Sequence, residues 1–277
     1  MKLTVLTENT AVSPEFRAVH GLSLYLETKA LKILFDVGPG DEFLYNSAKL
    51  GLDLSKVDAC VISHGHNDHG GGLETFLGYN HTAPVYLSDM AFENCYAGTK
   101  YIGLDKSLKE HPQIQLLNHA NNRYVRLLPP TRTPGQTVSI LGQIPGDTML
   151  PKANANLLCD NGPDPFLHEQ VMLVKDDDFL LLLGGCAHRG ILNIMEYAKT
   201  VWDRYPDAVV SGFHLAAGGS GKCMADDEYL EELSRRLLST GAMFYSCHCT
   251  GPEALTKLQT LMPGRLMALS TGMSVEF

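Results

Sequence analysis

The segment from residue 63 to residue 72 is Ser63-His64-Gly65-His66-Asn67-Asp68-His69-Gly70-Gly71-Gly72. It follows an apolar run, residues 57–63, whose composition is that of a buried strand. In an extended backbone, residues two positions apart face the same side, so His64 and His66 can reach one ion together. Asp68 and His69 follow where the chain turns, and their side chains can reach a second ion position close by. The segment therefore predicts a metal site at the end of a strand.

The donor atoms of this segment indicate which metals it can take. Imidazole nitrogen and carboxylate oxygen suit Zn²⁺, which is the expected ion, and Mn or Fe also accept them. The glycines on both sides let the backbone turn tightly beside the ions. A single histidine in a polar turn would need no such explanation, but three histidines and an aspartate in this spacing predict one or two divalent metal ions.

The overall composition is that of a packed globular protein. Of the 277 residues, 44% are hydrophobic and 19% are charged, which predicts one domain over residues 1–277. The chain carries 22 Lys and Arg against 31 Asp and Glu, a net charge of −9, without a Lys/Arg-rich block. Nucleic acid is therefore excluded as a general partner, and a small-molecule substrate is expected. The composition leaves the oligomeric state open.

The sequence also predicts where the protein resides. No apolar run is long enough to cross a bilayer, so no membrane association is expected. Residues 1–8 carry one early cation without an apolar core, which indicates a first strand and not a signal peptide. The seven cysteines are expected to be reduced thiols in a cytoplasmic protein.

Hydrophobic periodicity predicts strands at both ends of the chain and alternating strands and helices in the second half, which is the pattern of an α/β fold. The predicted strands cover residues 2–7, 21–27, 31–37, 57–63, 171–175, 179–183, 208–210, 243–246 and one or two strands within 265–277. The predicted helices cover residues 43–50, 190–205, 226–239 and 253–261.

The middle segment, residues 78–165, has weak periodicity and a different composition. Seven of the 14 prolines lie between Pro129 and Pro165. Residues 88–96 are helix-like, and residues 137–141 are strand-like. Long ordered connections usually carry function, so we expect an elaborated insertion that forms a lid over the site. The alternative is a surface insertion without a role.

The metal segment, preceded by Ile33-Leu34-Phe35-Asp36-Val37-Gly38, resembles the metallo-β-lactamase superfamily. The resemblance implies a four-layer αββα sandwich, in which two β-sheets pack face to face, helices cover the outside, and a metal site lies at one edge. Residues 184–191, 211–215 and 247–251 are similar to a subgroup of metal-dependent hydrolases, the β-lactamase superfamily II.

The resemblance also implies the remaining ligands, each of which follows an apolar strand. His248 matches the last ligand of the family and is assigned to the second ion. The bridging aspartate that usually follows a glycine in the family is replaced here by Cys186. We expect His188 to be the ligand from this loop, with Cys186 as the competing choice. His214 is expected to be a catalytic residue that contacts substrate or moves a proton.

Other histidines and cysteines are expected to have ordinary structural roles. Cys247 and Cys249 alternate with His248, so in a strand they would point away from the site and pack. Arg189 and Lys222 are the cations that could meet an anionic substrate. The histidines expected at the surface or in loops are His20, His81, His111, His119 and His168.

These residues predict a metal-dependent hydrolase that uses a metal-bound hydroxide on a small ester, lactone or phosphoester. Asp68 would bind the second ion or orient the nucleophile, and His214 or His188 would move a proton. One alternative is a transferase or cyclising enzyme similar to the pterin-arylamine ribofuranosyl phosphate synthases whose label some members of the subgroup carry. A second alternative is a metal- or ligand-binding sensor without activity.

Overall fold

The structure, a computed structural model, describes residues 1–121, 124–126, 136–218 and 221–277. Its strands are β1 (Lys2–Thr7), β2 (Ser23–Glu27), β3 (Lys32–Phe35), β4 (Ala59–Val61), β5 (Val85–Ser88), β6 (Tyr96–Ala97), β7 (Lys100–Tyr101), β8 (Ile114–Leu117), β9 (Tyr124–Arg126), β10 (Gln136–Gly142), β11 (Leu157–Cys159), β12 (Gly162–Pro163), β13 (Gln170–Asp176), β14 (Phe179–Leu183), β15 (Ala208–Val210), β16 (Met243–Ser246), β17 (Leu266–Ala268) and β18 (Ser274–Glu276). Its α-helices are α1 (Glu42–Lys49), α2 (Asn67–Gly70), α3 (Leu73–Tyr79), α4 (Ile191–Trp202), α5 (Asp227–Ser239) and α6 (Pro252–Leu261).

Two large sheets form the centre of the molecule. The first has the strand order β18-β1-β2-β3-β4-β5-β8, and the second has the order β17-β16-β15-β14-β13-β10-β9. One apolar cluster joins residues of both sheets, among them Leu24 of β2 and Leu181 of β14, so the sheets pack face to face. Helices α4, α5 and α6 cover the second sheet, and α1 and α3 cover the first. The predicted αββα sandwich is confirmed.

Strand β14 shows why the sequence favours this arrangement. Its residues are Phe-Leu-Leu-Leu-Leu, a continuous apolar run without polar alternation. Leu180 and Leu182 face the helix-covered side, whereas Leu181 and Leu183 face the other sheet. Because both faces of the strand are buried, apolar residues are required at every position.

Helix α5 shows how the outer layers attach. Asp226 caps its N-terminus by accepting a hydrogen bond from the backbone N–H of Tyr229. Leu230, Leu233 and Leu237 form its buried stripe, with spacings of three and four residues. Each fully buried leucine contributes roughly 1.5–3 kcal/mol to the free energy of folding.

The middle segment, residues 78–165, does not stand outside the sandwich as an insertion. Strands β5 and β8 extend the first sheet, and β9 and β10 extend the second. Among the described residues of this segment, only β6, β7, β11 and β12 form a separate small sheet. Residues 122–123 and 127–135 of this segment lie outside the described residues.

The helix-like segment at residues 88–96 contains no helix. Its backbone packs instead on the metal segment: a Cβ added to Gly65 would lie 2.4 Å from the carbonyl oxygen of Ala91. This contact between distant parts of the chain outweighs the local helical preference. Throughout the part of the chain that the structure describes, no helix combines the length and the apolar character needed to span a membrane.

The ends of the parallel strands determine where the functional loops meet. Strands β3, β4, β5 and β8 are parallel neighbours in the first sheet, as are β14, β15, β16 and β17 in the second. The loop after β4 meets the second sheet where the backbone N–H of Gln170 donates to the carbonyl oxygen of Ser63 at 2.7 Å. The N–H of Gly212, after β15, donates to the carbonyl oxygen of Gly185, after β14, at 2.8 Å. One edge of the sandwich therefore gathers the loops that carry the candidate ligands.

Candidate metal centre

Three buried histidines form a first ligand group, His64, His66 and His188. Nε2 of His64 lies 3.0 Å from Nδ1 of His66 and 3.3 Å from Nε2 of His188. Burial lowers the pKa of His64 and of His188 well below the usual value, and it lowers the pKa of His66 to about 3. All three imidazoles are therefore neutral at physiological pH, which is the state that a metal requires.

A second ligand group consists of Asp68, His69 and His248. Nε2 of His69 lies 3.2 Å from Nε2 of His248, and Oδ2 of Asp68 lies 3.3 Å from Nε2 of His248 and 4.0 Å from Nε2 of His69. Burial would raise the pKa of Asp68, but the charge of His69 and hydrogen bonds from His20 and His248 hold it well below its usual range. The second group thus presents one carboxylate and two imidazoles.

Asp36 orients one histidine of each group. Its Oδ2 lies 2.6 Å from Nδ1 of His69 and accepts a hydrogen bond from the Ser63 hydroxyl at 2.8 Å. Because that hydroxyl donates to Asp36, it accepts from Nδ1 of His64, which lies 2.8 Å away. Each ring therefore keeps a proton on Nδ1 and points its Nε2 atom to the site, where His64 has a lone pair available and His69 gains one once its second proton is displaced.

An asparagine and a glutamate hold His188 from two sides. Oδ1 of Asn154 lies 3.0 Å from Nδ1 of His188, and the Asn154 amide donates to the His188 carbonyl oxygen at 2.8 Å. The buried Glu169 accepts from the His188 backbone N–H at 2.7 Å. This amide orientation again places the ring proton on Nδ1 and leaves Nε2 free for a ligand bond.

The same arrangement holds His248. Oδ1 of Asn9 lies 2.9 Å from Nδ1 of His248, and the Asn9 amide donates to the His248 carbonyl oxygen at 3.4 Å. Glu8 accepts from the His248 backbone N–H at 2.8 Å. We call each of these arrangements, Asn154 with Glu169 and Asn9 with Glu8, an Asn–Glu clamp.

The tautomers provide a test of whether these residues fit a metal. Nε2 of His64 and Nε2 of His188 are both unprotonated and face each other at 3.3 Å. Two lone pairs at this distance repel one another unless a cation lies between them, and neither ring has a pKa that favours protonation. The donor set therefore fits a divalent cation.

The structure brings all six predicted ligands into the two groups, and it places Cys186 between the groups. Sγ of Cys186 lies 3.1 Å from Nε2 of His69 and within 4.8 Å of the His64 ligand atom. His188 lies in the first group. That His188 and not Cys186 is the main ligand from this loop stays a prediction.

His214, the predicted catalytic residue, lies beside the first group. Its ring centroid is 4.1 Å from that of His188, and its side chain is buried. Neither of its ring nitrogens has a hydrogen-bond partner among the residues that the structure describes.

Several residues that the sequence assigned to ordinary roles lie at or near the site. His168 is buried, accepts from the Gly65 backbone N–H at 3.1 Å and donates to Asp164 at 3.1 Å. Nε2 of His20 lies 3.3 Å from Asp68, and its ring lies 4.6 Å from that of His248. His119 is buried against Gln170. Single histidines at loop ends carry no spacing signal, and only the fold brings them together.

The direction expected for the Cys249 side chain was wrong. Cys247 packs in the core between the sheets, as predicted, but Cys249 lies on the site side, within 4.8 Å of Cys186. The chain does not continue as a strand after β16. His248 has a left-handed φ of 52° and begins a single 3₁₀ turn, so the assumed alternation does not apply.

Residues of the middle segment contribute to the surroundings of the site. Asn154 contacts His188 and Asp164 contacts His168, as described above. Next to His168 is a cavity of about 280 Å³, whose lining includes Met90, Glu93, Cys95, Asp160 and Asp164. Arg189, a predicted contact for an anionic substrate, instead donates to the carbonyl oxygens of Ile144 and Gly146 at 3.2 and 2.6 Å.

Comparison with known proteins agrees with the sandwich fold. A family model described as the metallo-beta-lactamase superfamily matches residues 17–150. An uncharacterized protein of Methanocaldococcus jannaschii is 30% identical over 264 residues, which cover 94% of each chain. The 7,8-dihydropterin-6-methyl-4-(β-D-ribofuranosyl)-aminobenzene-5′-phosphate synthase of the same organism is 26% identical over 92% of this chain and 89% of its own length.

Among solved structures, a metal-dependent hydrolase of the β-lactamase superfamily is similar over the whole chain. The two share a TM-score of 0.82 and 27% sequence identity, and the match covers 100% of this chain and 99% of the other. The likeness includes the fold and extends along the entire sequence.

Proposed function

Because the chain belongs to the metallo-β-lactamase superfamily, we propose that it is a hydrolase that holds two divalent metal ions and cleaves a small ester, lactone or phosphoester. The observation that carries the proposal is the convergence of imidazole nitrogens and one carboxylate in two adjacent groups. A binding protein for a single ion would not need the second group.

Each of the two groups would supply the ligands of one ion. His64, His66 and His188 would hold the first ion, and Asp68, His69 and His248 would hold the second. Zn²⁺ suits this nitrogen-rich set best, and Mn or Fe are the alternatives. When bound, such ions acidify a water molecule so that it is a nucleophile near neutral pH, and they offset negative charge on a substrate oxygen.

The protein's own residues supply orientation. Asp36 fixes the rings of His64 and His69, and the two Asn–Glu clamps fix His188 and His248. Held in this way, the ligands lose little freedom when an ion or a substrate binds, and this preorganisation favours the transition state. His214 lies close enough to His188 to contact a substrate or to move a proton.

The cavity beside His168 is the proposed recess for the part of the substrate that does not react. Glu93, Asp160 and Asp164 place three carboxylates on its walls. Both oxygens of Asp164 already accept hydrogen bonds, one from the backbone N–H of Phe166 and one from His168. Carboxylates that line a recess favour hydrogen-bond donors over anions. The proposed substrate therefore carries its electrophilic or anionic group at the metal end and donor groups at the distal end.

A substrate-class screen tests the proposal. The metal-loaded protein would be assayed with phosphomonoester, phosphodiester, lactone and thioester substrates, alongside the His64→Ala variant. His81 is exposed and outside both groups, so His81→Ala is the matched control. Turnover of one class that disappears in His64→Ala and persists in His81→Ala supports the proposal. A protein that binds metal but turns over none of these classes contradicts it.

A second candidate function is synthesis of a pterin-arylamine phosphate. It is favoured by the 26% identity to the dihydropterin synthase, which extends over 92% of this chain. The purified protein would be incubated with the substrates of that synthase, and products would be identified by mass spectrometry. Product formation that depends on His64 would favour this candidate over hydrolysis.

A further inference from the structure

We propose that Cys186, His214 and Cys249 form a third metal site, rich in sulfur, that takes a soft or borderline ion such as Zn²⁺ or Cu⁺. The two sulfur atoms and one imidazole nitrogen lie within 4.8 Å of one another. The exposed fractions of the three residues are 2%, 8% and 6%. Two thiolates and an imidazole are a donor set that selects such ions, whereas the two ligand groups described above are rich in nitrogen.

The imidazole of His214 provides the first independent support. The residue is more than nine-tenths buried, and neither ring nitrogen has a hydrogen-bond partner within the described ranges. A buried polar group without a partner costs roughly 1–3 kcal/mol. A metal ion on one nitrogen would remove that cost for the nitrogen it binds.

The backbone of His214 provides the second. Its φ of 47° lies in the left-handed region, which side-chain-bearing residues adopt at an energetic cost. Strained backbones of this kind persist where the surrounding structure enforces them, and they cluster at functional sites. The surrounding structure therefore enforces the position of the His214 ring beside the two sulfur atoms.

Hydrogen bonds between loops preorganise the three donors. The backbone N–H of Leu215 donates to the carbonyl oxygen of Cys249 at 3.0 Å, and the thiol of Cys249 donates to the carbonyl oxygen of Cys186 at 3.5 Å. The backbone N–H of Phe213 donates to the Thr250 hydroxyl at 2.9 Å. The loops after β14, β15 and β16 thus fix one donor each.

Gly212 makes room for the sulfur of Cys249. A Cβ at this position would lie 2.4 Å from Sγ of Cys249, closer than any side chain can approach. The space occupied by the sulfur therefore exists only because residue 212 is glycine.

The charges of the donors permit a third ion close to the other two. Two thiolates balance the charge of one divalent ion, so the site adds little net positive charge beside the imidazoles. Cys186 also lies next to His69, and on its own it could serve the second ligand group. Cys249 belongs to neither ligand group. A variant of Cys249 therefore distinguishes a third metal site from a role of Cys186 in the second ligand group.

Cobalt substitution of the holoprotein tests the site. Thiolate ligation of Co²⁺ produces a charge-transfer band in the near ultraviolet, which is read out independently of activity. We expect this band in the wild-type protein. Cys249→Ser and His214→Gln should each lose one metal equivalent per chain, and the band should disappear in Cys249→Ser.

Matched controls make the result unambiguous. Cys247→Ser changes a buried thiol on the other flank of His248 and should keep both the band and the stoichiometry. His64→Ala should keep the band, so a failure of the proposed hydrolase would leave this site intact. Folding of every variant would be checked by thermal unfolding, with Cys249→Ala as the substitute for Cys249→Ser. A wild-type protein without the band, or a band that is lost in Cys186→Ser and kept in Cys249→Ser, would overturn the proposal.

Discussion

Oδ2 of Asp36 lies 2.6 Å from Nδ1 of His69, and both side chains are completely buried. Burial alone would lower the pKa of His69, but the charges of Asp36 and Asp68 outweigh it and raise the pKa to about 9. The first ligand group differs, because burial lowers the pKa of each of its histidines. The two groups therefore respond differently to pH.

The first prediction is that metal uptake at the second group releases a proton. Without metal, His69 is protonated below about pH 9, and an ion must displace that proton from Nε2. Affinity at this group should therefore rise with pH up to about 9 and then level off. Isothermal titration calorimetry in buffers of different ionisation enthalpy would count the protons released by each ion.

Asp36→Asn is the control for this prediction. Removing the carboxylate lowers the pKa of His69, so the second ion should bind with a weaker pH dependence. Equal proton release for both ions in the wild-type protein would show that the proposed difference between the groups does not exist.

The second prediction concerns the Asn–Glu clamps. Asn154→Ala removes the partner of His188 and should weaken binding of the first ion. Asn9→Ala should weaken binding of the second ion. Loss of such a supporting hydrogen bond typically costs about 10–100-fold in metal affinity. Competition with a chromophoric chelator would measure both affinities. Asn94→Ala is the control, since its amide contacts Asp160 at the cavity rim; an equal loss in all three variants would contradict the assignment.

The third prediction compares the two candidates on the loop after β14. Cys186→Ser should keep both ions of the His/Asp groups, because imidazoles and Asp68 complete them. His188→Ala should lose the first ion together with activity. Elemental analysis of activity-assayed protein measures both. A crystal structure with Sγ of Cys186 about 2.3 Å from an ion of the second group, and His188 turned away, would reverse the assignment.

The fourth prediction concerns Gly65, between the first two ligands. A Cβ at this position would lie 2.4 Å from the carbonyl oxygen of Ala91, which is backbone and cannot rotate away. Gly65→Ala should therefore destabilise the fold by about 1–3 kcal/mol and displace the segment after β5. Gly78→Ala is the control, because its Cβ would meet nothing within 4 Å. Similar unfolding temperatures for the two variants would disprove the steric argument.

The sequence predicted much of the sandwich because most of its strands show a continuous apolar run or a regular alternation. Strands β1, β14, β15 and β16 have the predicted bounds. The four-residue strands β5 and β8 were missed, since strands this short show neither a clear alternation nor clear boundaries. Their place in the sheet depends on partners distant in sequence, such as the pairing of Val85 with Ile114.

The ligands were predictable for a related reason, because strand ends that carry His or Asp meet at one sheet edge. The supporting residues were not. Asn9 and Asn154 are single amides with no characteristic spacing, and they act on histidines 239 and 34 residues away. The side on which Cys249 lies was mispredicted because the left-handed φ of His248 cannot be read from composition.

The clamp at His248 has a consequence for how the protein is made. Glu8 and Asn9 leave the ribosome long before His248, and β18, which follows His248 in the chain, must still pair with β1. A nascent chain that has not yet reached residue 248 has no complete second ligand group. Ion capture at that group thus waits until residue 248 has been made, so a bound second ion marks a molecule in which residues 8 and 9 have already met His248.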